Sequence, residues 1–191
     1  MLDEAHATGV LGLGGEGACG LFGLHGRVDV LMGTLGKALG SIGGFIAGSR
    51  DLIDYLARSA RSFVFTTSLP APAAAAALTA LRILRAEPER VATLSANAQH
   101  LRRRFTDAGF DVIPGPTPIV AVRFGSEHIA GEMARRLLDR GVYVQAIGAP
   151  YVPAGTSRIR VIASAAHRQT DLDYALNAFS ETAQELGIET V

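Results

Sequence analysis

Residues 27–48 read RVDVLMGTLGKALGSIGGFIAG, and this stretch decides the fold class. It opens and closes on short apolar runs bounded by glycine, residues 27–32 and 44–48, which is typical of buried strands. A glycine-rich turn between them carries Lys37. Glycines concentrated in one stretch indicate backbone that turns sharply or approaches another group closely. We therefore predict two strands joined by a loop that displays Lys37.

Strand and helix patterns alternate along the rest of the chain, which indicates an α/β protein. A small sheet with helices on one side is expected after Gly109. The predicted helices are residues 51–60, a helix that begins at Pro70 or Pro72 and reaches residue 84, and residues 88–106, 129–139 and 169–186. The further predicted strands are residues 62–67, 119–124, 141–147 and 157–163.

Composition excludes several classes of protein. The 191 residues carry 18 Lys plus Arg and 18 Asp plus Glu, so no net charge attracts nucleic acid or anionic lipid. A single cysteine, Cys19, forms no internal disulfide, which fits a reducing cytoplasm. Pro70 and Pro72 interrupt the longest uncharged stretch, residues 62–81, so we do not interpret it as a membrane span. The first residues also lack the features of a signal peptide, so we expect a cytoplasmic protein. We expect no metal site.

The first candidate site is Asp3-Glu-Ala-His6, which places a carboxylate and an imidazole three residues apart. Side chains at this spacing can converge on one ligand. The letters match the DEAH box of helicases, but that interpretation requires a G-x-x-x-x-G-K-[ST] loop, which the sequence lacks. An acidic surface turn with an incidental histidine is the alternative.

The second candidate is the Lys37 loop. Glycine and apolar neighbours favour a partly desolvated, neutral amine that can attack an aldehyde as a Schiff-base lysine. Thr34, three residues earlier, offers a hydroxyl to a phosphate beside the same loop. A solvated lysine in a glycine-rich surface turn is the alternative interpretation.

Two further segments carry polar groups after apolar runs. The hydroxyls of Thr66 and Thr67 could donate to phosphate oxygens, or they could serve only turn and helix-cap chemistry. Arg158 and Arg160 share one face of a predicted strand because strand side chains alternate. One of them could bind a carboxylate through its guanidinium fork, or both could be ordinary surface arginines.

Together these segments resemble the α-oxoamine synthases, acyltransferases of fold-type I that use pyridoxal 5'-phosphate. The resemblance covers essentially the whole chain. It implies the C-terminal part of a fold-type I large domain, residues 1–87, followed by a small C-terminal α/β domain, residues 88–191. The matching segments, in family order, are DEAHATGVLG (3–12), GRVDVLMGTLGKALG (26–40), FVFTTSLP (63–70), VPAGTSRIR (152–160) and SAAH (164–167).

The resemblance implies a role for each matched residue in the first half of the chain. Asp3 would pair with the pyridine nitrogen and keep it protonated, and His6 would hydrogen-bond the ring oxygen. Lys37 would attach the cofactor through its amine and later move protons. Thr34 would bind the phosphate. Asp3, His6 and Lys37 are thus the expected catalytic residues.

The resemblance also implies substrates and a partner. Thr66 and Thr67 would reach the phosphate of a neighbouring subunit, so a homodimer is expected. Arg160 would hold the carboxylate of a small amino acid that condenses with an acyl-CoA, with loss of CO2 and CoA. Tyr151 stands where a substrate-contacting threonine is usual, and Gly148 where some members carry arginine.

Several outcomes stay open within this resemblance. The stretch 152–158 is most similar to members that join L-alanine to a pimeloyl thioester in biotin synthesis. Glycine C-acetyltransferases and 5-aminolevulinate synthases share the same catalytic residues. The long N-terminal half of the family has no counterpart here, so an inactive remnant or interaction subunit is a further alternative. In that case the first half of the chain would expose sheet edges and apolar faces.

Overall fold

The computed structural model describes residues 1–189, which form two compact units, an N-terminal unit of Met1–Ala92 and a C-terminal unit from Thr93 onward. Strands and helices alternate in both, as predicted. The elements are β1 (Leu2–Asp3), α1 (Gly17–Leu21), β2 (Val30–Thr34), β3 (Gly44–Gly48), α2 (Arg50–Ser59), α3 (Arg61–Val64), α4 (Ala71–Ala86), α5 (Glu89–Asp107), β4 (Val112–Ile113), β5 (Ile119–Gly125), α6 (Glu127–Asp139), β6 (Gln145–Ile147), β7 (Ser157–Ile162) and α7 (Gln169–Glu185), with a 3₁₀ turn at Leu13–Gly15.

The sheet of the N-terminal unit has the strand order β1-β2-β3. β1 runs parallel to β2, with Asp3 opposite Met32, and β3 runs antiparallel to β2. Gly33 of β2 leaves room for Phe45 of β3, because a Cβ built there would lie 2.4 Å from the Phe45 ring and the ring would have to shift. The parallel pair brings the carboxyl ends of β1 and β2 to one edge of the sheet.

The strand predicted at residues 44–48 forms, but it is not buried. All five residues of β3 are exposed, including Phe45 and Ile46. The physical reason is its place in the sheet, since β3 is an edge strand that pairs only with β2 among the described residues. The apolar content of the run predicted a strand correctly and its burial wrongly.

The strand predicted at residues 62–67 is wrong. The backbone N–H groups of Phe63 and Val64 both donate to the carbonyl of Ala60, at 2.9 Å, and close the short helix α3. A short apolar run fits a strand or a buried helical turn equally well by periodicity, and local hydrogen bonds decide here for the turn.

The C-terminal unit is an antiparallel sheet of order β4-β5-β7-β6 with a core on one face. Alternation sends Val120 and Val122 of β5, and Ile159 and Val161 of β7, into that core. The helical side chains of the same core come from α5, α6 and α7, which confirms the predicted sheet with helices on one side; they include Ala98, Leu101, Phe105, Met133, Leu137, Leu172, Leu176 and Phe179.

The strand predicted at residues 141–147 is shorter in the structure, where β6 begins only at Gln145. The preceding residues end α6 instead. Gly141 adopts a φ of +77°, and the N–H of Val142 donates to the carbonyl of Leu137 at 2.8 Å, which is the pattern of a Schellman cap. The five long helices begin and end within two residues of their predicted limits.

Candidate active site

Asp3 and Thr34 end two neighbouring parallel strands at the same edge of the N-terminal sheet. Asp3 pairs with Met32, and Thr34 lies two residues further along β2. Parallel strands lie about 4.8 Å apart, so the loops that follow them start side by side. His6 stands three residues after Asp3, and Lys37 three residues after Thr34. Ligands of open α/β sheets bind outside the carboxyl ends of strands, which is where these four residues are found.

The Asp3–His6 segment is a hydrogen-bonded turn. Asp3 Oδ1 accepts from the backbone N–H of Ala5 at 2.8 Å. Both Asp3 and His6 are exposed. An exposed carboxylate is a suitable acceptor for a protonated ring nitrogen.

Lys37 lies in a loop that its own backbone closes. The Leu35 N–H donates to the Gly43 carbonyl at 2.9 Å, the Ser41 N–H to the Leu35 carbonyl at 2.8 Å, and the Gly40 N–H to the Lys37 carbonyl at 2.9 Å. The Lys37 side chain is exposed, and it forms no hydrogen bond or ion pair with another described residue. The amine is therefore held on an ordered loop and accessible.

The predicted partial desolvation of Lys37 is wrong for this chain. Its neighbours Gly36 and Ala38 are too small to cover a four-carbon side chain, and both are exposed themselves. The composition of the chain also singles out this residue. Of the eighteen lysine and arginine residues in the 191-residue sequence, Lys37 is the only lysine, and the others are arginines.

Thr34 organises the same loop. Its hydroxyl donates to the Gly43 carbonyl at 3.2 Å and accepts from the Gly36 N–H at 3.1 Å. The first of these is long for an O–H···O bond. A phosphate oxygen could replace the Gly43 carbonyl as the acceptor at small cost, so the residue fits the predicted role after a rotation of its hydroxyl hydrogen.

Thr66 and Thr67 lie in an irregular, fully exposed segment between α3 and α4. Thr66 Oγ1 accepts from the Ser68 N–H at 3.3 Å, whereas the Thr67 hydroxyl has no hydrogen-bond partner in the part of the chain that the structure describes. Leu69 lies beside the Lys37 loop, since a Cβ built at Gly43 would stand 3.1 Å from its Cδ1. Leu69 thus places this segment next to the Lys37 loop.

The arginines of β7 point away from the core of the C-terminal unit, as predicted from the alternation. Arg158 is held locally, donating from Nε to the Thr156 carbonyl and from Nη2 to the Thr156 hydroxyl. Arg160 donates from Nη2 to Gln145 Oε1 of the neighbouring strand, at 2.5 Å. The Nε of Arg160 is buried and has no partner among the described residues.

A cavity of about 690 Å³ opens beside Arg160 in the C-terminal unit. Its polar lining includes Gln145, Ser164, His167 and Asp171. Side-chain and backbone hydrogen bonds with Arg168 hold the pKa of Asp171 at about 2, below its usual 3.8, so this carboxylate is ionised at neutral pH. The orphaned Nε of Arg160 is the donor in this region that lacks an acceptor. A carboxylate ligand would satisfy it.

The chain matches the family model for aminotransferase class I and II over residues 1–179. It belongs to that family. The family assignment and the predicted fold class are confirmed together by curated relatives and solved structures. The chain spans about half the length of the curated relatives that it matches.

Two relatives of this aminotransferase-family chain are 8-amino-7-oxononanoate synthases. The enzyme of Symbiobacterium thermophilum is 46% identical over 187 residues, covering 98% of this chain and 48% of its own. That of Anaeromyxobacter dehalogenans is 48% identical over 180 residues, covering 94% and 45%. The predicted resemblance to α-oxoamine synthases is thereby confirmed.

Solved structures agree with the family assignment. The serine palmitoyltransferase of S. paucimobilis, solved with a bound PLP–myriocin aldimine, has a TM-score of 0.92 at 31% identity and covers 98% of this chain and 48% of its own. The 8-amino-7-oxononanoate synthase of Francisella tularensis, at 24% identity and a TM-score of 0.83, shows the fold alone.

Tyr151 does not line the Arg160 cavity. Its side chain is 87% exposed on the loop between β6 and β7. A role for Tyr151 at this position of the aminotransferase-family fold therefore requires a ligand that extends beyond the cavity.

None of the helices described here is long and apolar enough to cross a membrane.

Proposed function

We propose that this chain holds pyridoxal 5'-phosphate at Lys37 and belongs to an acyltransferase that condenses a small amino acid with an acyl-CoA. One observation carries the proposal. Asp3 is the last residue of β1, and the sole lysine follows the adjacent carboxyl end of β2 by three residues. The identity of 46% to an 8-amino-7-oxononanoate synthase favours L-alanine and a pimeloyl thioester as the substrates.

The polar groups at this edge match the chemistry of the cofactor. When bound, pyridoxal 5'-phosphate supplies an electron sink for charge that develops at the α-carbon of the substrate. Asp3 accepts a hydrogen bond from the ring nitrogen and keeps it protonated. The imidazole of His6 hydrogen-bonds the ring oxygen. Thr34 donates its hydroxyl to a phosphate oxygen in place of the Gly43 carbonyl.

Lys37 has two tasks in this proposal. Its amine is the nucleophile that binds the aldehyde carbon, because no other lysine is present in the sequence. Once a substrate amine has displaced it, the amine is free to remove the proton from the α-carbon as a general base. An exposed side chain on an ordered loop suits both tasks, since it must move between two positions.

The proposed reaction balances when its protons are counted. After Lys37 removes the α-proton, the α-carbon forms a bond to the thioester carbonyl carbon, and the C–S bond breaks to release CoA as a thiolate, which takes up one proton from water to become the thiol. The bond from the α-carbon to the carboxylate then breaks with release of CO2, and the α-carbon takes back the proton that Lys37 holds. Arg160 holds that carboxylate through Nε and the outer nitrogens, and Tyr151 contacts the part of the acyl donor beyond the cavity.

The proposal includes an assembly and a location. Thr66 and Thr67 are exposed, and the hydroxyl of Thr67 is unused within the described residues, which suits donors to the phosphate of a second copy in a homodimer. A chain with one buried cysteine and no internal disulfide fits the cytoplasm.

The decisive experiment is reductive trapping of the cofactor on the 191-residue chain. The chain is titrated with pyridoxal 5'-phosphate, reduced with borohydride and digested, and the peptides are analysed by mass spectrometry. We expect a visible absorbance band that saturates and one pyridoxyl group on Lys37. The sequence provides an internal control, because the N-terminal amine is the only other primary amine. A label that appears equally on the N-terminus would show unspecific reaction and contradict the proposal.

Replacing Arg160 with lysine is expected to raise the KM for the amino acid by about 10- to 100-fold, with a smaller change in kcat. Lysine keeps the charge but loses the planar fork that holds a carboxylate with two bonds, a loss of about 1.5–3 kcal/mol. Steady-state release of CoA thiol at varied amino-acid concentration measures the two constants.

Arg158→Lys is the matched control, since this arginine lies two residues away on the same face of β7 and is occupied by Thr156. We expect the KM of the Arg158→Lys variant for the amino acid to stay within about twofold of the value for the unsubstituted chain. A KM that both substitutions leave unchanged would show that the face acts only through its overall charge, which lysine keeps, and equal increases would show that Arg160 has no special role.

A further inference from the structure

Glu4 is a buried carboxylate between two exposed residues of the proposed site. The exposed fraction of Glu4 is 4%. Asp3, which precedes it in the sequence, and His6, two residues after it, are both exposed. Burial of a carboxylate is costly unless its oxygens are hydrogen-bonded. Both oxygens are used: Oε2 accepts from the Ala18 N–H and Oε1 from the Cys19 N–H, each at 2.8 Å.

The backbone of Glu4 is bonded as completely as its side chain. Its N–H donates to the Met32 carbonyl of β2 at 2.7 Å. Its carbonyl accepts from the N–H groups of Ala7 and Thr8, both at 2.9 Å, which closes the turn that carries His6. This one residue thus joins β2, the first residues of α1 and the Asp3–His6 turn.

The first turn of α1 is shaped to receive this carboxylate. A Cβ built at Gly17 would lie 2.6 Å from Glu4 Oε2, and the φ of Gly17 is +88°. Any side chain at this position would displace the carboxylate and would also strain the backbone. Both the hydrogen bonds and the space left by Gly17 therefore fix the position of the Glu4 carboxylate.

We infer that Glu4 is a positioning residue for Asp3 and His6. This inference rests on the proposed function, because it concerns the two residues assigned to the cofactor ring. Groups that bind a reacting ligand must be held to within about half an ångström, and buried hydrogen bonds behind them supply that precision. Glu4 forms such bonds directly behind the turn, without touching the ligand.

A purely structural role makes a different prediction. If Glu4 only caps α1, then its loss lowers the stability of the chain but leaves the order of the turn and the affinity for the cofactor unchanged. The matched control is Cys19→Ala, which removes a buried side chain from the same helix while leaving both backbone N–H groups available to Glu4.

The test compares Glu4→Gln with Cys19→Ala in the full chain. Glutamine has the same shape but presents an NH2 group to one of the two backbone donors, so one bond becomes a repulsion. We expect hydrogen exchange at the amides of Ala5, Ala7 and Thr8 to accelerate by about tenfold, measured by NMR. We also expect the dissociation constant for pyridoxal 5'-phosphate to rise by about tenfold or more. Cys19→Ala should leave both quantities within about twofold.

The inference is overturned if exchange at these three amides is unchanged in Glu4→Gln, or if exchange is faster but the dissociation constant is unchanged. Equal effects of Cys19→Ala would also overturn it, because general destabilisation would then be the cause. If the unsubstituted chain takes up no pyridoxal 5'-phosphate, the proposed function fails and the cofactor part of this inference fails with it. The exchange rates would still decide whether Glu4 holds the turn.

Discussion

Lys37→Arg is expected to abolish cofactor trapping and to slow exchange of the α-proton of L-alanine by about 10³-fold or more. Arginine keeps the positive charge, but its guanidinium stays protonated and is neither a nucleophile toward an aldehyde nor a base at neutral pH. No second lysine in the 191 residues can take over. The effect is therefore the largest that the proposed chemistry allows.

The measurement is NMR of L-alanine incubated in D2O with the chain and pyridoxal 5'-phosphate, which follows replacement of the α-proton by deuterium. The control is the double variant Lys37→Arg with Arg158→Lys, which has one lysine, as the original chain does, but at another position. We expect it to be as inactive as Lys37→Arg alone. Exchange within tenfold of the unsubstituted chain in either variant would contradict the assignment of Lys37.

Phe179→Ala is expected to lower the free energy of unfolding by about 3–5 kcal/mol. Phe179 of α7 is 0% exposed, and it contacts two other rings in edge-to-face geometry. Its ring centroid lies 4.8 Å from that of Phe105 and 6.2 Å from that of Phe110. Removing the ring leaves a cavity that the sheet and three helices cannot fill without shifting.

Urea denaturation followed by circular dichroism measures this loss. Phe22→Ala is the matched control, since Phe22 is 65% exposed and belongs to no ring pair within residues 1–189. We expect Phe22→Ala to change the free energy of unfolding by less than about 0.5 kcal/mol. A loss below about 1 kcal/mol in Phe179→Ala would show that the C-terminal core is loosely packed.

The five long helices were predictable because their signals are local. Proline near the start of α4, regular spacing of apolar residues and glycine after α6 act within a few residues of the element. The helical turn that replaces the predicted strand 62–67 could not be recognised in the same way. Its aromatic and β-branched residues satisfy a strand pattern, but a strand also needs a neighbour, and the Ala60 carbonyl was available as a closer partner.

The residues of the candidate site also differ in whether local sequence signals reveal them. Asp3, His6, Thr34 and Lys37 were found from motif letters and spacing, since each motif lies within a few residues. Glu4 was in the same motif and was not recognised, because its partners Ala18 and Cys19 are fourteen and fifteen residues away and donate through their backbone. Gln145, which orients Arg160, was missed because cross-strand register decides that contact.

The sequence by itself determined the α/β class, the family resemblance and the residue types of the site, since these depend on composition and on short spacings. Only the tertiary structure decided that β1 and β2 run parallel and bring Asp3 and Thr34 to one edge. Only the tertiary structure decided that Lys37 is exposed and that Glu4 is buried. Burial and strand pairing depend on contacts between distant parts of the chain, and local residue patterns do not specify those contacts.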